Sequence, residues 1–361
     1  MKQQAYQPLH GGDILSASER YGVPVEEWVD LSTGINPQSY RIDNLNDAAF
    51  KRLPYLQPAF YAAAKRYYGV DDMLAVSGSQ AVIQALPNLL QNKPLLVPKV
   101  GYQEYIKHWL KAGRDIASYP SFEQAEASDS ITASLMACPN QHLLIINPNN
   151  PTGLVFSAEQ VVSWAALLAE GCYLIVDEAF ADINPASSVL GKALPSNVIV
   201  LRSFGKFFGL AGIRLGYVMA NSVILAKLNT HLGLWQINGP AQALAIAALN
   251  DVDWQADARE GIARDSARCQ QLFLPLMQQV DVYKETHQGL FSAYLMLKRQ
   301  AEDIFGHFAR AGVLLRVIDV SDAQAVLRVG IVDRNNEKQM NKIIQTVELF
   351  CSRQSKLVNE V

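Results

Sequence analysis

Apolar runs and helical patterns alternate through the middle of this 361-residue chain. "PLLVP" (residues 94–98) reads as a short buried strand, and "YQEYIKHWLKAG" as the helix that follows it, stopped by Gly113. "HLLIINP" predicts a strand ending at Asn147. In "SAEQVVSWAALLAEG", Ser157 with Gln160 fits a capping box, and Gly171 suits the residue just past a helix C-terminus. "YLIVDEAF" is a buried strand, apolar until Asp177, and "NVIVLRSF" is another. This alternation is the signature of a mostly parallel sheet with crossover helices. From Asp251 the pattern changes to a long polar helix, then to strands "LFSAYLML", "VLLRVID" and "AVLRVGIV" around a helix ending near Gly312. A closing helix starts near Asn336. The pattern therefore predicts an α/β chain in three parts: an N-terminal arm over residues 1–40 packing with the small domain, a large domain over 41–250, and a smaller α+β domain over 251–361.

Composition narrows the function classes. Half of the residues are hydrophobic and 18% are charged, ordinary for a folded globular protein. A formal net charge of −3 argues against nucleic-acid binding driven by bulk charge. No apolar run is long enough to span a bilayer, and the opening "MKQQAYQPLHGGD" lacks an apolar signal core, so a cytoplasmic protein is expected. The four cysteines are scattered without CxxC spacing, which fits reduced thiols. The six histidines form no HxxxH pair, so no metal site is expected.

Three polar clusters sit just after apolar strands: "NPNNPTG", "DEAF" and "SFGK". Ligands of open α/β sheets bind at the carboxyl ends of the strands, so one crevice can collect Asn150, Asp177, Ser203 and Lys206. Each residue alone has a plainer explanation. Lys206 can snorkel from a core loop, Asp177 can form a salt bridge or a helix cap, Ser79 can be an ordinary N-cap, and Tyr102 can be core packing. Together they meet the demands of pyridoxal phosphate. These are an imine-forming lysine, an acid for the pyridine nitrogen, a phenolate donor, a ring on the cofactor face and a phosphate cup. Gly78-Ser79-Gln80 opens a helix whose free N–H groups favour an anion. Arg214 adds a permanent cation and Ser203 a hydroxyl.

The set "NPNNPTG", "DEAF" and "RSFGKFFGLAGIRLGY", in that order, closely resembles the fold-type I pyridoxal-phosphate enzymes of the class I/II aminotransferase superfamily. The resemblance implies pyridoxal 5′-phosphate as cofactor. It makes Lys206 the Schiff-base lysine, Asp177 the pyridinium partner, Asn150 the phenolate donor and Tyr102 the stacking ring. Ser79, Gln80, Ser203 and Arg214 become phosphate ligands. Where most of the superfamily carries a tyrosine after Asp-Glu-Ala, this chain has Phe180, and that donor is lost. Phe180, "LHGGD", "DLSTGINP", "GLAGIRLGY" and "HQGLF" together resemble the branch of cobalamin-pathway threonine-phosphate decarboxylases, close to the histidinol-phosphate aminotransferases.

That branch implies a carboxy-lyase converting L-threonine O-3-phosphate to (R)-1-aminopropan-2-yl phosphate and CO₂, with a histidinol-phosphate-type aminotransferase as the alternative. A third class, a pyridoxal-phosphate-binding protein without catalysis, is disfavoured by the intact Lys206 and Asp177. For a substrate bearing two anions, the resemblance assigns Arg328 to the carboxylate and Arg316 to the phosphate. His10, Gly11 and Asn36 then fold over the substrate. It also implies a homodimer. Many relatives have Arg-Tyr-Pro where this chain has Arg52-Leu53-Pro54, which leaves Tyr55 as the nearest substitute for a tyrosine reaching the partner subunit.

Overall fold

The computed structural model describes residues 10–42 and 45–359, with side chains as far as Arg353. The first nine residues of the expected arm lie outside the described residues. Two units are present: the chain up to Pro37 together with Glu260 onward, and Gln38–Arg259. The expected divisions near residues 40 and 250 compare with these.

The N-terminal segment holds α1 (Ile14–Tyr21), capped by the Asp13 carboxylate on the Ser16 N–H, and the short β1 (Val29–Asp30). The Gln38–Arg259 unit then runs α2 (Ala48–Lys51), α3 (Pro58–Tyr68), β2 (Met73–Val76), α4 (Ser79–Leu89) and β3 (Leu95–Pro98). It continues with α5 (Glu104–Lys111), β4 (Ile116–Tyr119), α6 (Gln124–Ala137), β5 (His142–Ile146), α7 (Ala158–Ala165) and β6 (Leu174–Asp177). The last elements are β7 (Val198–Ser203), α8 (Phe204–Phe207), β8 (Gly216–Met219), α9 (Ser222–Leu232) and α10 (Gly239–Asn250). The division between units falls within α11 (Val252–Met277).

The seven strands β2 to β8 form one sheet in the order β2-β8-β7-β6-β5-β3-β4. All neighbours are parallel except β8, which runs antiparallel to both β2 and β7. Every residue of β3, β5, β6 and β8 is buried, as expected of strands covered on both faces, and this is why they read as unbroken apolar runs. Val97, Leu144, Ile175, Ile199, Leu201 and Val218 of the sheet join α4 and α5 in one core through Val82, Leu86, Tyr105 and Trp109. That core is the rigid floor beneath the strand ends.

Two expected elements differ. Helix α7 starts as predicted, with the Ser157 hydroxyl accepting the Gln160 N–H, but ends at Ala165 rather than beside Gly171. The Asn197 side-chain amide takes the Ala165 carbonyl at 2.8 Å and closes the helix early. Gly171 keeps its positive φ in the turn before β6.

In the other unit follow β9 (Val282–His287), β10 (Phe291–Leu297), α12 (Lys298–Arg310), β11 (Val313–Leu314), β12 (Arg316–Asp319), β13 (Gln324–Gly330) and α13 (Glu337–Asn359). The stretch "VLLRVID", expected as one strand, is two. Its first half pairs parallel with β1, and its second half joins the antiparallel sheet β12-β13-β10-β9. No helix among the described residues is long and apolar enough to cross a membrane.

Candidate active site

Asp177 ends β6 and Ser203 ends β7, its neighbour in the sheet, while the "NPNNPTG" loop leaves β5 on the other side of β6. Helix α4 opens directly after β2, and Arg214 lies just ahead of β8. One pocket at these ends is lined by Ser79, Gln80, Tyr102, Asn150, Asp177, Ser203, Lys206 and Arg214. All eight residues expected to hold the cofactor are thus brought together. Gly78, Phe180 and Gly205 line it too, with Ile146, Ala179, Ala211 and Leu215, four apolar positions that carry no chemical signal in the sequence.

The backbone at the Gly78 and Arg214 side of the pocket is tightly drawn. Gly78 has φ 76° and ψ 156°, a region open essentially to glycine alone. A Cβ there would stand 2.8 Å from Nη2 of Arg214. Arg214 itself is left-handed at φ 56°, a conformation rarely adopted by a side-chain-bearing residue and concentrated at functional sites. Gly216 is the second close approach: its Cβ would meet the Ser79 N at 2.7 Å. The helix begins at Ser79, with Gly78 as the cap, so Ser79 and Gln80 present first-turn N–H groups that have no carbonyl a turn earlier.

Asp177 is buried, with Oδ2 accepting the Tyr105 hydroxyl at 2.9 Å and Oδ1 the Ala179 N–H at 3.1 Å. Burial pushes its pKa above the usual carboxylate range, against the pull of those two donors and of the Lys206 charge. A carboxylate so placed gains from a cation brought to it. The Lys206 Nζ lies 5.7 Å from the centre of the Phe180 ring. Asn147 and Asn149 are both spent on the loop: Asn147 exchanges hydrogen bonds with the Phe156 backbone, and Asn149 donates to the Val100 carbonyl and to Thr152 Oγ1. Asn150 is the asparagine of the three that lines the pocket.

Of the polar groups in "VLRSFGKFFGLAGIRLGY", Arg202 and Tyr217 are absent from the lining. Arg202 is buried in ion pairs with Glu178 (2.8 Å) and Asp182, and Tyr217 packs against Phe60 and Tyr68. Tyr105 is a neighbour of the site that sequence reasoning missed. Its position three residues after Tyr102, across the turn that leads into α5, was the available signal.

The residues expected to hold substrate, His10, Gly11, Asn36, Arg316 and Arg328, all belong to the other unit. Arg316 on β12 faces Arg328 on β13 as its direct cross-strand partner. Arg328 is buried, donates to the Ser32 carbonyl and stands 5.7 Å from the Phe291 ring centre. His10 is exposed, Asn36 is buried, Gly11 backs onto the Ser32 carbonyl, and the Gly12 N–H donates to Ser32 Oγ at 2.8 Å. Among the described residues, no group of three His, Cys, Asp or Glu side chains is placed to hold a metal ion.

The family model for aminotransferase class I and II matches residues 27–346. Over 264 residues the chain is 39% identical to the threonine-phosphate decarboxylase of Pseudomonas aeruginosa, covering 73% of this chain and 77% of that protein. Over 335 residues it is 27% identical to histidinol-phosphate aminotransferase 2 of Archaeoglobus fulgidus, covering 90% and 94%. In fold it is similar to the crystal structure of histidinol-phosphate aminotransferase from Sinorhizobium meliloti in complex with pyridoxal-5′-phosphate. That match has a TM-score of 0.77 at 19% identity and covers 98% of each chain.

Proposed function

We propose that this chain, which belongs to the aminotransferase class I and II family, decarboxylates L-threonine O-3-phosphate to (R)-1-aminopropan-2-yl phosphate in cobalamin assembly. The cofactor is pyridoxal 5′-phosphate. The observation that carries the reading is the pocket that gathers a buried carboxylate, an amine and a helix N-terminus with an arginine beside it. That donor set fits the cofactor. A Cβ on Gly78 would crowd the Arg214 guanidinium, so the cradle is built open for a phosphate. The choice of decarboxylation is supported by the 39% and 40% identities to two threonine-phosphate decarboxylases over 264 and 248 residues, against 27% over 335 and 35% over 181 residues to histidinol-phosphate aminotransferases.

When bound, pyridoxal phosphate supplies an electron sink for the pair left behind as a bond to the substrate's α-carbon breaks. The roles of the chain's own residues follow. The α4 N-terminus, Ser203 and Arg214 hold the phosphate. Asp177, oriented by Tyr105 and Ala179, holds a proton on the pyridine nitrogen. The Asn150 amide donates to the phenolate oxygen, and Tyr102 covers the ring. Lys206 would hold the cofactor through its amine and, once the substrate's amine has displaced it, would be placed to deliver a proton to the substrate's α-carbon. Arg316 and Arg328 are assigned to the substrate's two anions, with His10, Gly11 and Asn36.

Product analysis tests the reaction. Threonine phosphate is expected to release CO₂, with threonine itself nearly inert, because binding energy from the remote phosphate is what orients the reacting carbon. Arg316→Ala should lower kcat/KM by about 10- to 100-fold, the worth of one charged hydrogen-bonding partner. A keto acid formed without CO₂ would sink the decarboxylase and leave the aminotransferase.

The assembly proposed is a homodimer. In the Gln38–Arg259 unit, Phe50, Leu53, Tyr55, Leu56, Leu234 and Trp235 are all exposed, and the Tyr55 and Trp235 rings meet edge to face at 6.4 Å. Large apolar side chains left in water this way are suited to a second copy. Light scattering should give twice the mass of one chain. A one-chain mass for fully active enzyme contradicts the dimer.

A further inference from the structure

The first turn of α5 carries a carboxylate that no step of the proposed reaction uses. Glu104 is 5% exposed and stands outside the lining of the pocket. Its Oε2 accepts the Gln80 amide at 2.6 Å and faces His108 Nε2 at 3.1 Å, and its Oε1 accepts Lys107 Nζ at 3.0 Å. The other end of Gln80, Oε1, accepts the Tyr102 hydroxyl at 3.1 Å. A single chain of hydrogen bonds thus runs from Glu104 through Gln80 to Tyr102, and the last two line the pocket.

The polarity of that chain has one sense. A carboxylate only accepts, so the Gln80 NH₂ must face Glu104, and its carbonyl must face the Tyr102 hydroxyl, which then donates. Reversing the amide would set its oxygen against the carboxylate. Fixing the direction of a phenol O–H fixes the edge of its ring. We infer that Glu104 is a positioning residue which, through Gln80, holds the Tyr102 ring at the angle needed to lie against a flat cofactor. This rests on the reading of Tyr102 as the stacking ring. It also gives Gln80 a second task, since its side chain is turned towards Tyr102 and Glu104 while its N–H opens α4.

Burial would raise the Glu104 pKa, but hydrogen bonds from Lys107, His108 and Gln80 outweigh it and leave the group below the usual carboxylate range. The acceptor therefore stays ionised, and charge-assisted hydrogen bonds are the stronger kind. A purely local role has a different signature. Lys107 and His108 sit three and four residues on, spacings that support a helix without reference to any ligand.

Binding of pyridoxal phosphate to the apoprotein, followed by absorbance and visible circular dichroism, separates the two. Glu104→Ala should weaken binding by about five- to ten-fold, the size of roughly one net hydrogen bond, and should reduce the cofactor's dichroism. Glu104→Gln retains an acceptor and should recover part of both. In a Tyr102→Phe background, Glu104→Ala should cost less than about two-fold more, because the path it acts through is already cut. Fully additive losses overturn the inference. So do unchanged affinity and dichroism accompanied only by a lower melting temperature. Should Glu104→Ala fail to fold, Tyr102→Phe and Glu104→Gln carry the test, and wild-type values in both overturn it. Wild-type protein that binds no pyridoxal phosphate would instead remove the cofactor reading itself.

Discussion

Lys206→Ala should abolish turnover, by at least about 10⁴-fold, while the protein still takes up pyridoxal phosphate weakly. The lysine shares its pocket with Asp177, Ser203 and Arg214, and its charge is felt at Asp177. The substitution would remove the covalent hold and the proton carrier proposed for Lys206 at once, and would leave Ser79 and Arg214 in place. Borohydride treatment of the wild-type holoenzyme, followed by peptide mass spectrometry, should find the cofactor on Lys206. Label on another lysine would overturn the assignment. Retained activity in Lys206→Ala would do the same.

The second large effect concerns stability. Arg202→Ala is expected to cost about 3–5 kcal/mol, the size found when one partner of a buried ion pair is removed and the other charge is left behind. Glu178 and Asp182 are both fully buried against Arg202, whose guanidinium also lies 5.1 Å from the Tyr68 ring centre. Burial opposes the arginine's charge, but the two carboxylates outweigh it and raise its pKa. The Val189 N–H donates to the other Glu178 oxygen, and the Ser188 and Tyr67 hydroxyls donate to the same Glu178 and Asp182 oxygens that Arg202 engages, so the cluster is tied in from several segments. Urea unfolding followed by far-ultraviolet circular dichroism should show the lower midpoint. Arg202→Met combined with Glu178→Gln and Asp182→Asn should recover much of it by removing the stranded charges. A wild-type midpoint in Arg202→Ala would contradict this account. Glu178 follows Asp177 and Arg202 precedes Ser203, so the ion pair sits next to two residues that line the pocket.

Much of this was legible in the sequence, and what was not has physical reasons. Strands β3, β5 and β6 are covered on both faces, so burial writes itself as an apolar run ending in a polar cluster. Asn150, Asp177 and Lys206 follow such runs at once, which is why they could be named. The early stop of α7 could not, since the amide that caps it comes from Asn197, 32 positions away. Glu104 and Tyr105 looked like ordinary members of an amphipathic helix. Their partners, Gln80 and Asp177, are 24 and 72 positions distant, and only the fold brings them together. The split of "VLLRVID" was hidden for the same reason, because β1 lies at the other end of the chain.

The antiparallel strand β8 has a consequence for the order in which a newly made chain acquires its ligand. Ser79 can stand against Gly216 only once β2 has found β8, and these two are separated by most of the large unit. Arg214, which lines the pocket, lies just ahead of the same strand. Until the Arg214–Gly216 segment is in place, the lining of the pocket is incomplete. A ligand of the completed pocket would therefore by mass action deepen the well of the finished fold.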